Sequence, residues 1–112
     1  MAIKSNVSLG AQDVGTGDTT LILPESGKRV AITAAGVKNT TAGTIIIDYY
    51  SSPDATSASG TKIGESKLSA NGEDQPLNII GRGFSDAEYL IGVADVAGAN
   101  ISITATEYDG GD

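Results

Sequence analysis

The sequence predicts an all-β chain: a single-domain antiparallel β-sandwich, jelly-roll-like, with about eight strands. Three observations carry this expectation. The most apolar run, residues 43–50 (GTIIIDYY), holds three consecutive isoleucines and two tyrosines, which stand easily on a pleated surface and crowd the turns of a helix. Fifteen glycines, with serine- and threonine-rich intervals, divide the 112 residues into strand-length pieces. No window carries leucine, alanine and glutamate in helical phase with caps at its ends.

Residues 43–50 form the expected central strand. Alternation puts Ile45, Ile47 and Tyr49 on one face, which is the expected core, and Ile46, Asp48 and Tyr50 on the other. The second face is mixed, so Ile46 and Tyr50 are expected either under a loop or against another chain.

The other elements follow in order. Residues 3–9 alternate as a first strand or an extended N-terminal arm, and residues 10–18 (GAQDVGTGD) read as loop, so residues 1–18 are set apart from a sandwich over 19–108. Residues 19–23 make a short strand ended by Pro24, which has no N–H for a ladder. Residues 25–28 (ESGK) form a tight turn with glycine where positive φ is needed. In residues 29–37, Val30, Ile32 and Ala34 are expected on one face; this strand pairs with the central one as a hairpin or across the sandwich. Residues 51–60 (SSPDATSASG) lack periodicity and suit a mobile loop or one ordered by a neighbour. Residues 61–69 suit an edge strand bent or bulged near Gly64, residues 70–75 a turn at Asn71-Gly72, residues 76–80 a short strand and residues 81–86 a loop. Two closing strands are expected, over 87–94, with Tyr89, Ile91 and Val93 in phase, and over 99–108, with Ile101, Ile103 and Ala105 facing one way. The remaining DGGD, residues 109–112, is expected to be a flexible acidic tail.

Composition narrows the function. Histidine and cysteine are absent, which removes the commonest general base, thiol nucleophiles and Cys/His metal sites, so enzyme activity is not expected and no cofactor is implied. Seven cations against 14 carboxylates, a net charge of −7, argue against tracking phosphates of nucleic acid. No stretch approaches a membrane span and no apolar leader follows Met1, so the chain is expected to be soluble and unprocessed.

Candidate sites are few. Asp48 reads either as a solvated outward residue, the stronger reading, or as a carboxylate for a metal or a subunit-interface ion pair, for instance with Lys38 or Arg82. Glu73 with Asp74, and Asp109 with Asp112, are acidic turn clusters better read as solvated turns than as calcium ligands, since the loop spacing of an EF-hand is missing. Gly81-x-Gly83 lacks the third glycine of a dinucleotide fingerprint, and the sequons at Asn6, Asn39 and Asn100 fit chance in this composition. Several strands carry large apolar residues on both faces, as with Leu21 and Leu23 against Ile22, Ile79 against Ile80, and Ile91 against Leu90. This excess points either to cover by sister subunits or to burial under loops.

The order of turns and strands in TTLILPESGKRVAIT, VKNTTAGTIIIDYY, SANGEDQPLNI and AEYLIGVADVAGANISITATEYD resembles small jelly-roll virion proteins of tailed bacteriophages, the capsid decoration or cement proteins, with related domains in head or tail fibres. The resemblance spans residues 19–108 and includes no catalytic signature. It implies a homotrimer on the outer capsid surface of a virion, bound to the major capsid protein. With it, Ile46, Asp48 and Tyr50 become the expected oligomer interface, and Ile3, Val7 and Leu9 the expected capsid-docking residues. Chain length without repeats or coiled coil favours decoration over fibre. The alternative is a head-fibre or tail-associated receptor- or carbohydrate-binding module. The absence of tryptophan and the presence of only four tyrosines and one phenylalanine count against a sugar platform.

Overall fold

The structure, a computed structural model, describes the backbone of residues 3–109 and the side chains of residues 12–108. Nine strands occur among the described residues: β1 (Ile3–Val14), β2 (Thr19–Ile22), β3 (Lys28–Asn39), β4 (Ile45–Ser52), β5 (Thr61–Leu68), β6 (Glu73–Asp74), β7 (Gly83–Ser85), β8 (Tyr89–Ala94) and β9 (Ala99–Asp109). Sheet I has the order β1-β9-β3-β6, with β7 also on β3; sheet II has the order β2-β8-β4-β5, and every pairing is antiparallel. The chain is a two-stranded ribbon folded back at residues 53–60. β4 pairs with β5, β3 with β6 and β7, β2 with β8, and β1 with β9. Rolling that ribbon so that its pairs alternate between two sheets gives the jelly roll expected from the sequence.

Alternation on β4 is as expected. Ile45, Ile47 and Tyr49 are fully buried between the sheets. Burying each isoleucine stabilises the fold by about 1.5–3 kcal/mol. Tyr49 faces glycine on both neighbouring strands, Gly92 on β8 and Gly64 on β5. A Cβ at Gly92 would stand 2.8 Å from Leu21 Cδ1, and one at Gly64 would overlap Asn78 Cβ, so side chains from β2 and from residues 76–80 fill the space beside the ring. The phenol is not left unsatisfied. Its hydroxyl lies 2.8 Å from Ser66 Oγ, which donates to Asp74 Oδ2 at 2.9 Å, so Tyr49 is the donor in the first contact. This polar chain runs from β4 through β5 to β6 and links the two sheets.

Three local expectations change. On β3, Ile32 faces Ala105 but Ala34 faces Thr104, so Thr33 is an extra residue and the phase inverts. Ala34, expected on the face of Val30 and Ile32, is exposed, and Ala35 and Val37 join those two inside. The Thr33 hydroxyl donates to the Thr104 carbonyl at 3.1 Å across this bulge. Residues 76–80 are a turn, not a strand. Pro76 cannot extend β6 along β3, because it has no N–H to give; its carbonyl instead accepts from Ile79 and Ile80 nitrogens at 3.0 and 3.2 Å. Residues 83–85, expected in a loop, pair with β3 as β7.

Of strand or arm, the N-terminal segment takes the strand: β1 runs to Val14, beyond the expected residue 9, with Ile3 opposite Tyr108 and Val14 opposite Ala99. The loop before β2 is thereby shortened. The expected bulge near Gly64 is present, with Tyr49 opposite Gly64 and Tyr50 opposite Lys62. The turn at residues 25–28 closes through Lys28 N donating to Glu25 O at 2.9 Å, with Gly27 at φ 78. Residues 53–60 carry a set of local hydrogen bonds. Asp54 Oδ1 accepts from Thr56 N at 2.9 Å and Thr56 Oγ1 at 2.7 Å, and the Ser52 hydroxyl donates to Thr56 O at 2.7 Å. The Thr56 hydroxyl and N–H, with smaller help from Ser59 and Ser52, hold the Asp54 carboxyl below the usual range. Of the tail, Asp109 closes β9, and residues 110–112 lie outside the described residues.

Burial pushes the Tyr49 phenol up from 10.0 to about 12, opposed by the Ser66 hydrogen bond and reinforced by the Asp74 charge. The neutral phenol is the form the fold accepts. Stability contributed by this preference is therefore intact below the unfolded value near 10 and is lost as pH rises from there towards 12. The full loss is about 2–3 kcal/mol. Urea denaturation at pH 9 to 12 should show it, and Tyr49→Phe should flatten that part of the profile.

Candidate functional site

The solvent face of sheet II gathers the residues expected at an interface. On β4, Ile46, Asp48 and Tyr50 point away from the core and are half-buried. Strand pairing sets their neighbours. Tyr50 lies between Ile91 on β8 and Lys62 on β5, and Asp48 between Val93 and Glu65, while Ile46 faces Lys67. Tyr89, Ile91 and Val93 share this outward phase, whereas Leu90 and Ala94 belong to the core. Ile91 is fully buried although it stands outside the core cluster, flanked by Tyr50 and by Thr20 of β2. The result is an apolar seam on the two central strands, with charges along β5.

Within the chain, the cation beside Asp48 is Lys62. Lys38 belongs to sheet I, and the Arg82 Nε donates to Asn78 O at 2.8 Å. Lys62 Nζ lies 3.0 Å from Asp48 Oδ1 and 3.0 Å from Glu65 Oε2; Lys67 stands 4.0 Å from Glu65 Oε1. The contact to Glu65 is a hydrogen bond, whereas the approach to the buried Asp48 Oδ1 lacks hydrogen-bond alignment and is electrostatic. The bulge makes this arrangement. Residues 62 and 65 would point to opposite faces of a regular strand, and the extra residue, Ile63, brings both to one side. Asp48 and Glu65, in that order, hold the Lys62 ammonium above its usual value. The glycine at 64 was the legible signal for the bulge; the change of phase that recruits Lys62 was not.

Other expected positions are dispersed. Ile3, Val7 and Leu9 lie on the β1 backbone, and their side chains fall outside the described residues. Asp74 is held by Ser66, while Glu73 is exposed. No group of three metal-ligating side chains occurs among the described residues. Asn39 is fully buried, which leaves its sequon inaccessible. Tyr49 and Phe84 are buried between the sheets, so Tyr50, Tyr89 and Tyr108, each half-buried, are the aromatics left to face outward. The apolar excess divides: Leu21, Ile22 and Ile79 are buried, Ile80 packs against the core, and Leu23 is exposed.

A groove of about 780 Å³ lies on sheet I, between its surface at Gly36, Lys38 and Ser102 and a wall formed by Glu73, Gln75 and Leu77. It is separate from the sheet II seam.

The Lys62 and Glu65 side chains are open to water although Asp48 Oδ1 is not, and pairs with an exposed partner contribute little. Lys62→Met is expected to leave the midpoint of urea denaturation close to that of the parent. A clear fall would mean that the Asp48 charge depends on Lys62 against its burial. No protein-family model matches the chain, and no curated protein matches its sequence.

Proposed function

We propose that this chain is a non-enzymatic structural protein that works by association through the solvent face of sheet II. The observation that carries the reading is the apolar seam of half-buried Ile46, Tyr50 and Val93 around the fully buried Ile91, on a sheet whose opposite face already closes the core. A sandwich needs one apolar face per sheet, and contiguous apolar surface on the second face is characteristic of contact with another chain. The β5 charges make a polar rim beside the seam, as at interfaces generally. The lack of histidine and cysteine supports a role without catalysis.

The resemblance of residues 19–108 to phage jelly-roll decoration proteins supplies the setting: a homotrimer on the outer capsid surface, stabilising the lattice of the major capsid protein. The placement on a virion rests on that resemblance. In a closed ring each copy presents the same patch, so a modest seam per subunit is enough.

Ile46→Asp puts a charge in the seam without touching the core. It should convert assemblies of the purified chain to smaller species in sedimentation velocity while leaving the circular dichroism spectrum and melting curve near those of the parent. A variant that remains fully assembled would move the interface elsewhere. Binding of the purified chain to capsid shells lacking it tests the setting, and absence of binding would remove the decoration role while leaving self-association standing.

A further inference from the structure

The two sheets end in strands with unequal defences. In sheet II, β5 carries Lys62, Glu65 and Lys67 within eight residues, and β2 is four residues long and followed by Pro24. On the far side of sheet I, β6 and β7 have two and three residues. Short length, charge and proline are the usual means of discouraging edge-to-edge pairing. β1 differs. It is 12 residues long, lacks proline, pairs on one side with β9, and contains only Lys4 and Asp13 as charges.

Those two charges are placed symmetrically. Lys4 is the second residue of β1 and Asp13 the second from its end. If two copies of β1 run antiparallel with full overlap, Lys4 of each lies opposite Asp13 of the other, Ile3 opposite Val14, and Ser5 opposite Gln12. A slip of one residue either way breaks both charge pairs. The register that uses the whole strand is thus the one that matches the charges. The structure keeps Asp13 exposed at the strand end. Two irregularities interrupt the pairing of β1 with β9. One leaves Lys4 without a counterpart on β9, and the other, between Ser8 and Ala11, falls at the two-fold centre. The strand bends there, so the ladder would divide into two equivalent halves, each setting residues 11–14 of one copy beside residues 3–6 of the other.

We infer that the free edge of β1 is a homotypic docking surface for a second copy of this chain, joining two copies of sheet I into one continuous sheet about a two-fold axis. Backbone hydrogen bonds supply the attraction and the two Lys4–Asp13 pairs set the register. The contact is independent of the sheet II seam. Assemblies that contain it hold an even number of chains.

Charge exchange tests it on the full chain. Sedimentation velocity and native mass spectrometry across micromolar concentrations should show two-fold association of the parent. Lys4→Asp and Asp13→Lys each place like charges opposite one another twice, and each should weaken self-association about tenfold or more. Mixed together, the two variants complement each other at both positions and should form heterodimers, as the double variant should form homodimers. Ile46→Asp should leave this contact intact. A parent that carries no two-fold contact at these concentrations, or singles that associate as well as the parent and fail to prefer each other, would overturn the inference. Unchanged melting curves for the singles separate loss of contact from loss of fold.

Discussion

The corner where the chain leaves sheet I for sheet II depends on one buried amide. Asn39 is the last residue of β3, and its side chain is fully buried. Its nitrogen donates to the carbonyls of Gly43 at 2.6 Å, Ser69 at 3.0 Å and Leu68 at 3.3 Å. Its oxygen accepts from Thr41 N at 2.8 Å and Thr41 Oγ1 at 2.7 Å. Every donor and acceptor of the amide is therefore engaged. A buried polar group left without partners costs about 1–3 kcal/mol, so this position tolerates neither an apolar substitute nor a displaced neighbour. The amide joins the end of β3, the approach to β4 and the end of β5. β4 is thereby held with Tyr49 inward, and the outward stripe of Ile46, Asp48 and Tyr50 follows from that phase. The seam on sheet II is in this sense a consequence of a hydrogen-bond set at the edge of the core.

Much of this architecture is legible in the residues, and the misses share a cause. Ile45, Ile47 and Tyr49 announce a core strand because β-branched and aromatic residues alternate there without interruption. Pro24, Gly27 and Gly64 mark an end, a turn and a bulge through the backbone conformations they favour or forbid. What alternation cannot report is a change of phase within a strand. Thr33 inverts β3 so that Ala35 replaces Ala34 inside, and Ile63 brings Lys62 round to Asp48. Both are bulges whose location depends on the partner strand. Pro76 was compatible with a strand by composition alone, but its missing N–H matters once β6 lies on β3. Asn39 looked like an incidental sequon, because its value lies in carbonyls about 30 residues away in sequence.

The two outward surfaces of the sandwich differ in kind. The solvent face of sheet II offers side chains: an apolar seam with charges on its flank, suited to packing. The edge of sheet I offers backbone, with side chains at its ends to choose a register. Association by packing and association by strand addition use different physics, and the two proposed contacts together would build more than a closed ring. The β5 charges fit this division, since they discourage strand addition at the other long edge while they border the seam.

The folded-back ribbon also governs when the molecule can form. Its tip, β4 with β5, joins segments close in sequence, but the pairing of Ile3 with Tyr108 closes almost the whole length of the chain. During synthesis β1 leaves the ribosome before the other strands of the sandwich and β9 after them, so β1 waits longest for its partner. During that interval a 12-residue strand with two charges has both edges bare. Synthesis rate and local concentration of nascent chains therefore bear on yield more heavily here than in a fold of local contacts, and β1 is the segment most in need of a chaperone's cover.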